Sequence, residues 1–157
     1  AVQTFIGAPG ESRSLELLCR AADAGARYGI PTLGVVAVGK QMERTERFFL
    51  LATRVLAENG ANIVKSYYCD GFERVAAACP VPIVIAGGKK LPELDALEMA
   101  CRAIREGAHG VDMGRNIFQS DCPAGMAQAI GKVVHESYTA AQAYEVYEEV
   151  KHHSENA

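Results

Sequence analysis

The stretch NIVKSYYCDGFERVAAACPVPIVIAGG, residues 62–88, decides the fold of this chain. Two apolar runs, 62–68 and 81–88, enclose a segment of helical spacing that begins near Phe72 and is ended by Pro80. Both runs are almost continuously apolar and do not alternate. Strands that are buried on both faces have this pattern, as parallel strands covered by helices do. The stretch therefore predicts a strand, a helix and a second strand parallel to the first.

The same unit recurs along the whole chain. Segments of helical spacing separate further apolar runs, which occupy residues 1–7, 32–39 and 110–114. Ser12 or Ser14 is expected to cap the first helix, and Gly29 is expected to end it. A last helix is predicted over 140–150. Five βα units followed by a C-terminal helix indicate an α/β domain with a parallel sheet.

Two architectures fit this order of elements. Five strands in 157 residues match the size of a flavodoxin-like open sheet. The same units are also five eighths of a (β/α)8 barrel, which usually needs about 250 residues. Length alone favours the open sheet, whereas the loops described below favour the barrel.

Composition excludes several classes of function. The net charge is −3 and the two signs are interspersed, which argues against nucleic-acid and membrane-surface partners. No apolar run reaches the roughly 18 residues of a membrane span. The five cysteines are odd in number and no two lie three apart, so neither a disulfide framework nor a metal site is expected. Free thiols fit a reducing compartment, and a cytoplasmic location is expected.

Two loops follow successive predicted strands and are rich in glycine. Gly87 and Gly88 end the run 81–88, and Gly114 and Arg115 follow the run 110–114. Glycine lets the backbone N–H groups approach a ligand closely, and a short helical turn after Gly114 would add further amides and Arg115 a charge. In barrels this arrangement binds phosphate. The alternative is that these glycines are ordinary turn residues.

Lys65 is the one charged residue inside the run 62–68. A lysine in a strand ordinarily faces solvent or lies on a sheet edge. Lys65, however, has Ile63, Val64 and Tyr67 around it. A lysine in a poorly hydrated apolar site can be a free amine near neutral pH, and a free amine forms a Schiff base with a ketone. The iminium then acts as an electron sink when a neighbouring carbon–carbon bond breaks or forms.

Three motifs carry a resemblance to a known family: VKSYY (64–68), GFERVAAACPVPIVIAGGKK (71–90) and GVDMGRNIFQSD (110–121). They resemble the class I aldolase family that includes deoxyribose-phosphate aldolase and archaeal-type fructose-bisphosphate aldolase. The resemblance implies a (β/α)8 TIM barrel, of which residues 1–157 form the C-terminal portion, strands 4–8 and a final helix. It implies that Lys65 is the catalytic Schiff-base lysine. It also implies that the phosphate-binding residues are Gly87, Gly88, Gly114 and Arg115.

Two departures from the family pattern affect the expected activity. The family's three preceding βα units, including an acidic active-site residue, would have to come from another chain or be lost, and a chain without them could be inactive as an enzyme. The aldolases also carry a proton-donating tyrosine where this chain has GVVAVGK (34–40). The absence of tyrosine resembles a thiolase branch of the family. That branch implies no bound cofactor, coenzyme A as co-substrate, and cleavage of a phosphorylated pentane-dione to dihydroxyacetone phosphate and acetyl-coenzyme A.

Several alternatives remain open from the sequence. The chain could be a class I aldolase acting on a phosphorylated sugar, or a non-catalytic phosphate-binding α/β fragment. It could also be a flavodoxin-like binding domain in which Lys65 lies on a sheet edge. The resemblance implies homo-oligomers, and the exposed strand edges of an incomplete barrel point the same way. Arg44 and its charged neighbours are interpreted as a solvated helix face.

Overall fold

The computed structural model describes residues 1–39 and 42–156. In chain order the elements are β1 (Val2–Thr4), α1 (Glu11–Tyr28), β2 (Leu33–Val36), α2 (Glu46–Glu58), β3 (Ile63–Tyr67), α3 (Phe72–Ala78), β4 (Ile83–Ala86), α4 (Glu93–Arg105), β5 (Gly110–Asp112), α5 (Arg115–Phe118), α6 (Pro123–Glu136) and α7 (Ala140–Glu155). Lys40, at the end of the tyrosine-free stretch, and Ala157, at the end of the predicted domain, lie outside the described residues. No helix in the described ranges combines the length and the apolar character needed to span a membrane.

The strand order separates the two predicted architectures. The chain forms two compact units, Ala1–Val84 and Ile85–Ala157, and the strand order is β1-β2-β3-β4-β5. In the first unit β2 pairs in parallel with β1 on one side and with β3 on the other. A flavodoxin-like sheet has β1 between β2 and β3 instead. The pairing of β2 therefore excludes the open sheet that length favours, and each strand follows its predecessor as in a barrel.

The predicted cap of α1 is wrong. The helix begins at Glu11, earlier than a cap at Ser12 or Ser14 would place it, after Gly10 in a left-handed conformation with φ 90°. Ser14 is buried inside the first turn, where its hydroxyl donates to the carbonyl of Glu11 at 2.8 Å and accepts from the N–H of Phe5 at 3.1 Å. Gly10 turns the chain without a side-chain cap because glycine adopts positive φ without a steric penalty. Ser14 instead ties the chain after β1 to α1.

In the first unit, α2 packs against one face of β2 and β3. The buried residues of that face are Gly34, Val36, Val64 and Ser66. A side chain at Gly34 would bring its Cβ within 2.9 Å of the Cβ of Ala61 and 3.0 Å of a methyl carbon of Leu56. A glycine here therefore lets the strand approach the helix closely.

The opposite face of the same two strands is only partly buried. Burial alternates along β2 and β3, and the partly exposed residues are Leu33, Val35, Ile63, Lys65 and Tyr67. The apolar runs predict burial on both faces, and in this unit one face alone is fully buried. Most residues on this second face are nevertheless apolar, and this makes the apolar runs in the sequence continuous.

The second unit is built around α4, α6 and α7. Pro123 begins α6, as predicted, and Thr139 caps α7 by a capping box with Gln142. The helix extends to Glu155, five residues beyond the predicted end at 150. Tyr147 is 2% exposed and docks α7 on the body of the unit, where Gly125 allows a close approach: a Cβ there would lie 3.0 Å from the carbonyl oxygen of Tyr147.

Candidate active site

Lys65 lies in the middle of β3. It is opposite Val35 in the parallel pairing of β2 with β3. Since side chains alternate along a strand, Lys65 shares its face with Ile63 and Tyr67. The side chain is partly exposed. An amine at this position is lined by aliphatic and aromatic groups and is still accessible to a small molecule.

Lys65 does not lie on a sheet edge. On one side β3 pairs with β2, and on the other the N–H of Val64 donates to the carbonyl of Pro82 at 2.9 Å, just before β4 begins. The interpretation of Lys65 as an ordinary edge-strand lysine is therefore wrong. A lysine in the interior of a parallel sheet needs another reason for its presence, because lysine is depleted in β-strands.

A second cation lies close to the end of β3. The guanidinium carbon of Arg44 is 4.0 Å from the centre of the Tyr67 ring. The centres of the Tyr67 and Phe49 rings are 6.4 Å apart. Arg44 precedes α2 and does not lie on its solvated face as expected. A cation stacked on an aromatic ring is held in place without an acidic partner. Arg44 and Tyr67 are 23 positions apart in the chain, so no local pattern in the sequence indicates this contact.

Gly87 and Gly88, in the second unit, have different roles. Gly87 is buried, and a Cβ there would lie 2.7 Å from Nδ2 of Asn116 and 3.0 Å from Cγ of Met113. Gly88 has φ 65° with no heavy atom of the described residues within 4 Å of an added Cβ. Gly87 therefore permits close packing, whereas Gly88 supplies a left-handed turn open to its surroundings.

Gly114 and Arg115 begin the short helix α5, which the sequence predicts. Both are exposed. A Cβ at Gly114 would lie 3.2 Å from the ring of Phe118, a side chain that is itself 63% exposed. Within residues 1–39 and 42–156 no salt bridge is recorded for Arg115, so its guanidinium is available to an anion.

Asn116 connects the two glycine loops. It is 1% exposed, and its Nδ2 donates to the carbonyl of Gly87 at 2.8 Å. Its Oδ1 accepts from the N–H of Leu91, also at 2.8 Å. The sequence gives no sign of this role for Asn116, because a polar residue in a loop is normally solvated. Its partners lie 25 and 29 residues away, so no short-range spacing indicates them.

The two lysines of the first glycine loop are also in different states. The ammonium of Lys90 bonds Oε1 of Glu93 at 2.5 Å and the carbonyl of Leu91 at 2.8 Å. Partial burial alone would raise the pKa of Glu93, but the hydrogen bond and charge of Lys90 offset it and lower the pKa below its ordinary value. Lys89 is exposed, and no salt bridge is recorded for it among the described residues. Lys90 is therefore bound within the loop, and Lys89 is open to solvent.

The structure brings together the predicted phosphate residues Gly87, Gly88, Gly114 and Arg115, all in the second unit and connected through Asn116. Lys65 belongs to the first unit. Its role as a nucleophile stays a prediction, as does the binding of phosphate by the loops. In the part of the chain that the structure describes, no group of three or more His, Cys, Asp or Glu residues is arranged to hold a metal ion.

Comparisons with known proteins identify relatives of the chain. A family model described as DeoC/LacD family aldolase matches residues 4–120. A 3-hydroxy-5-phosphonooxypentane-2,4-dione thiolase from Enterobacter sp. (strain 638) is 57% identical over 152 residues, which cover 96% of this chain and 52% of the relative. The chain thus spans about half the length of the curated relatives it matches.

Solved structures agree with the barrel prediction. An archaeal fructose 1,6-bisphosphate aldolase matches with a TM-score of 0.78 at 24% identity, over 85% of this chain and 56% of that one. A fructose-bisphosphate aldolase from Slackia heliotrinireducens DSM 20476 matches with a TM-score of 0.82 at 19% identity, over 94% and 52% respectively. At this identity the likeness concerns the fold alone. It confirms that the five βα units correspond to part of a (β/α)8 barrel.

Proposed function

Because the chain belongs to the DeoC/LacD family of aldolases, we propose that Lys65 is a Schiff-base lysine that acts on a short phosphorylated ketone. The position of Lys65 carries this proposal: it lies in the middle of an interior strand, beside Val35 and between Ile63 and Tyr67. Its side chain is accessible enough to meet a carbonyl. Its Nζ is the nucleophile that such a reaction requires.

The first step forms the covalent intermediate. The lone pair of Nζ of Lys65 attacks the ketone carbon next to the phosphorylated carbon, which gives a carbinolamine. Loss of water from the carbinolamine gives an iminium. The positive nitrogen now withdraws electrons from the adjacent carbon–carbon bonds, which is the reason for forming it.

The second step breaks a carbon–carbon bond, and we propose thiolysis. The thiol of coenzyme A loses its proton and its sulfur bonds to the acetyl carbonyl carbon. The bond between that carbon and the hydroxyl-bearing carbon breaks, and its electron pair moves into the iminium to give an enamine. Protonation of the enamine and hydrolysis of the resulting imine release dihydroxyacetone phosphate and the free amine. Coenzyme A is a co-substrate here, and no bound cofactor is required.

Two observations favour thiolysis over aldol cleavage. The relative that is 57% identical is named as a thiolase for a phosphorylated pentane-dione. Residues 34–40 also contain no tyrosine to transfer the proton of an aldol reaction. Without that group, an attacking thiol offers a route for carbon–carbon cleavage that needs no proton donor at this position.

We propose that the phosphate of the substrate binds to the two glycine loops of the second unit. Gly88 exposes backbone in a left-handed conformation, and Arg115 is exposed with no recorded salt bridge among the described residues. Glycine backbone and a guanidinium are complementary to a phosphate dianion. The two loops follow β4 and β5.

We also propose that the chain associates into homo-oligomers. In the first unit a cavity of about 310 Å³ is lined mainly by apolar groups, including Phe5, Pro9 and Leu17. Phe5 is 40% exposed and Leu17 is 55% exposed. β1, which contributes to this surface, is the terminal strand of the sheet order. Light scattering should give a particle mass that is a multiple of 16.8 kDa, and a monomer at all concentrations would contradict the proposal.

Product analysis tests the proposed reaction. The chain is incubated with 3-hydroxy-5-phosphonooxypentane-2,4-dione and coenzyme A, and acetyl-coenzyme A and dihydroxyacetone phosphate are quantified. We expect the two in equal amounts, and a loss of about a thousandfold or more in Lys65→Ala. Lys132→Ala, which alters a partly exposed lysine on α6, is the matched control and should retain activity.

The other outcomes identify the alternatives. Cleavage of a phosphorylated sugar that does not depend on coenzyme A would indicate an aldolase. No turnover, together with phosphate binding by the loops, would indicate a non-catalytic phosphate-binding fragment, an alternative that the half-length coverage of the relatives keeps open. Undiminished turnover in Lys65→Ala would contradict the Schiff-base proposal.

A further inference from the structure

Asn116 is the buried polar side chain that holds the two glycine loops of the second unit together. Its oxygen and its nitrogen are both used, one by the N–H of Leu91 and the other by the carbonyl of Gly87. These two partners are the ends of a loop that contains Gly88 and Lys89. The side chain that closes this loop belongs to the residue directly after Arg115.

We propose that Asn116 is a positioning residue for the phosphate site, which fixes the loop 87–91 against the segment that carries Gly114 and Arg115. The inference rests on the proposed function, because it concerns the site where the phosphate of the substrate would bind. Asn116 acts through the backbone of the loop and not through contact with the anion. Its removal is therefore expected to change affinity for a dianion without removing any of the groups that bind it.

The physical reason is the conformational freedom of glycine. A loop with two consecutive glycines has more conformations than other sequences of the same length, and ordering it on binding costs affinity. The two hydrogen bonds of Asn116 order this loop before the ligand arrives. Gly88 then keeps the φ of 65° that opens its backbone to the surroundings.

The chemistry at this position is specific for an amide. The N–H of Leu91 requires an acceptor, and the carbonyl of Gly87 requires a donor. An ionised aspartate has the same shape but only acceptors, so one oxygen would face the Gly87 carbonyl without a proton between them. A protonated aspartate supplies one acceptor and one donor and restores both bonds. In Asn116→Asp, the two hydrogen bonds with Gly87 and Leu91 should therefore form when the carboxyl is protonated, and one should be lost when it is ionised.

Gly87 provides an independent way to disturb the same contact. A Cβ at Gly87 would lie 2.7 Å from Nδ2 of Asn116, which is too close for both groups to keep their positions. Gly87→Ala therefore displaces the amide without changing residue 116. Gln119→Ala is the matched control, because Gln119 is exposed on the same segment and bonds through its backbone.

Sulfate is the probe for the experiment, because it is a dianion throughout the pH range used, whereas phosphate is not. Sulfate affinity is measured by calorimetry for the wild-type chain and each variant, with urea unfolding in parallel to establish that each is folded. At about pH 8, where a carboxyl is ionised, we expect Asn116→Asp, Asn116→Ala and Gly87→Ala to bind about tenfold more weakly. Gln119→Ala should bind like the wild type.

Acidification separates positioning from a merely structural effect. As the pH falls to about 4, the affinity of Asn116→Asp should recover relative to the wild type at the same pH, and that of Asn116→Ala should not. A folded Asn116→Ala that binds sulfate as tightly as the wild type would overturn the inference and leave the phosphate site intact. A wild-type chain that binds no sulfate would overturn the proposed phosphate site, and this inference with it.

Discussion

Lys65 lies opposite Val35 in the parallel pairing of β2 with β3. The pairing places an amine in the interior of the sheet, on the face that it shares with Ile63 and Tyr67, while Val64 and Ser66 face the opposite way and are buried. A register shifted by one residue would move Lys65 to the helix-covered face. The position of the amine therefore depends on the packing of β2 and β3 against α2.

The packing of β2 against α2 predicts opposite effects for two glycine-to-alanine changes. Gly34→Ala should destabilise the chain by about 1–3 kcal/mol, because its Cβ would overlap Leu56 and Ala61. Gly131→Ala, inside α6 with nothing of the described structure within 4 Å of its Cβ, should stabilise by about 0.5–1 kcal/mol. Urea unfolding of both variants measures the two values. Equal effects of the two changes on the free energy of unfolding would contradict the close approach of β2 to α2 at Gly34.

The ion pair of Glu93 and Lys90 predicts a stability contribution that depends on pH. Since the pKa of Glu93 is lowered in the folded chain, the contribution is present above the ordinary value of 4.5 and is lost as pH falls through the lower folded value. Glu93→Gln should therefore cost about 0.5 kcal/mol at about pH 7, and progressively less below the ordinary value. Unfolding curves of wild type and variant over this range measure the difference. A cost that grows on acidification would contradict the assigned sign. Glu145→Gln, at an exposed position of α7, is the control.

The different states of Lys89 and Lys90 predict different consequences of their removal. Lys90→Ala should lower the free energy of unfolding by about 0.5 kcal/mol through the loss of its bonds to Glu93 and Leu91, and should affect sulfate binding little. Lys89→Ala should leave stability unchanged and weaken sulfate binding by about threefold, by loss of one exposed charge near the loop. Calorimetry and urea unfolding on the same samples test both. Weaker sulfate binding in Lys90→Ala and unchanged binding in Lys89→Ala would mean that Lys90 is the cation that contacts the anion.

The thiols differ in burial, and this predicts the order of their alkylation. Cys19 is exposed and should react first with iodoacetamide at about pH 8. Burial raises the pKa of Cys101, whose side chain also bonds the carbonyl of Tyr138 at 3.4 Å, so it should react only after urea is added. Burial also raises the pKa of Cys79, which should be intermediate. Peptide mapping over time gives the order, and native Cys101 reacting as fast as Cys19 would refute it.

Local signals in the sequence were sufficient to predict the strands and the helices, whereas the barrel was implied by the resemblance to a known family. Each apolar run became a strand because glycine and proline interrupt the pattern on both sides, and the short helix after Gly114 follows from the same signals. The cap of α1 was mispredicted because a serine is the usual cap, whereas Gly10 turns the chain without one. Rules of this kind describe neighbours along the chain.

The contacts that organise the candidate site come from distant parts of the chain. Asn116 and Gly87 are 29 residues apart, and neither residue alone indicates a buried amide. The stacking of Arg44 on Tyr67 likewise depends on where a loop passes the end of β3. Such pairs form only when the fold is in place, so spacing and propensity could not predict them.

The proposed reaction requires Lys65 to form a covalent bond with a phosphorylated ketone. The most direct measurement is reduction with borohydride in the presence of dihydroxyacetone phosphate, followed by intact mass and peptide mapping. We expect one adduct per chain, located on Lys65, absent in Lys65→Ala and retained in Lys132→Ala. A chain that gains no mass, or an adduct that maps to another lysine and persists in Lys65→Ala, would contradict it.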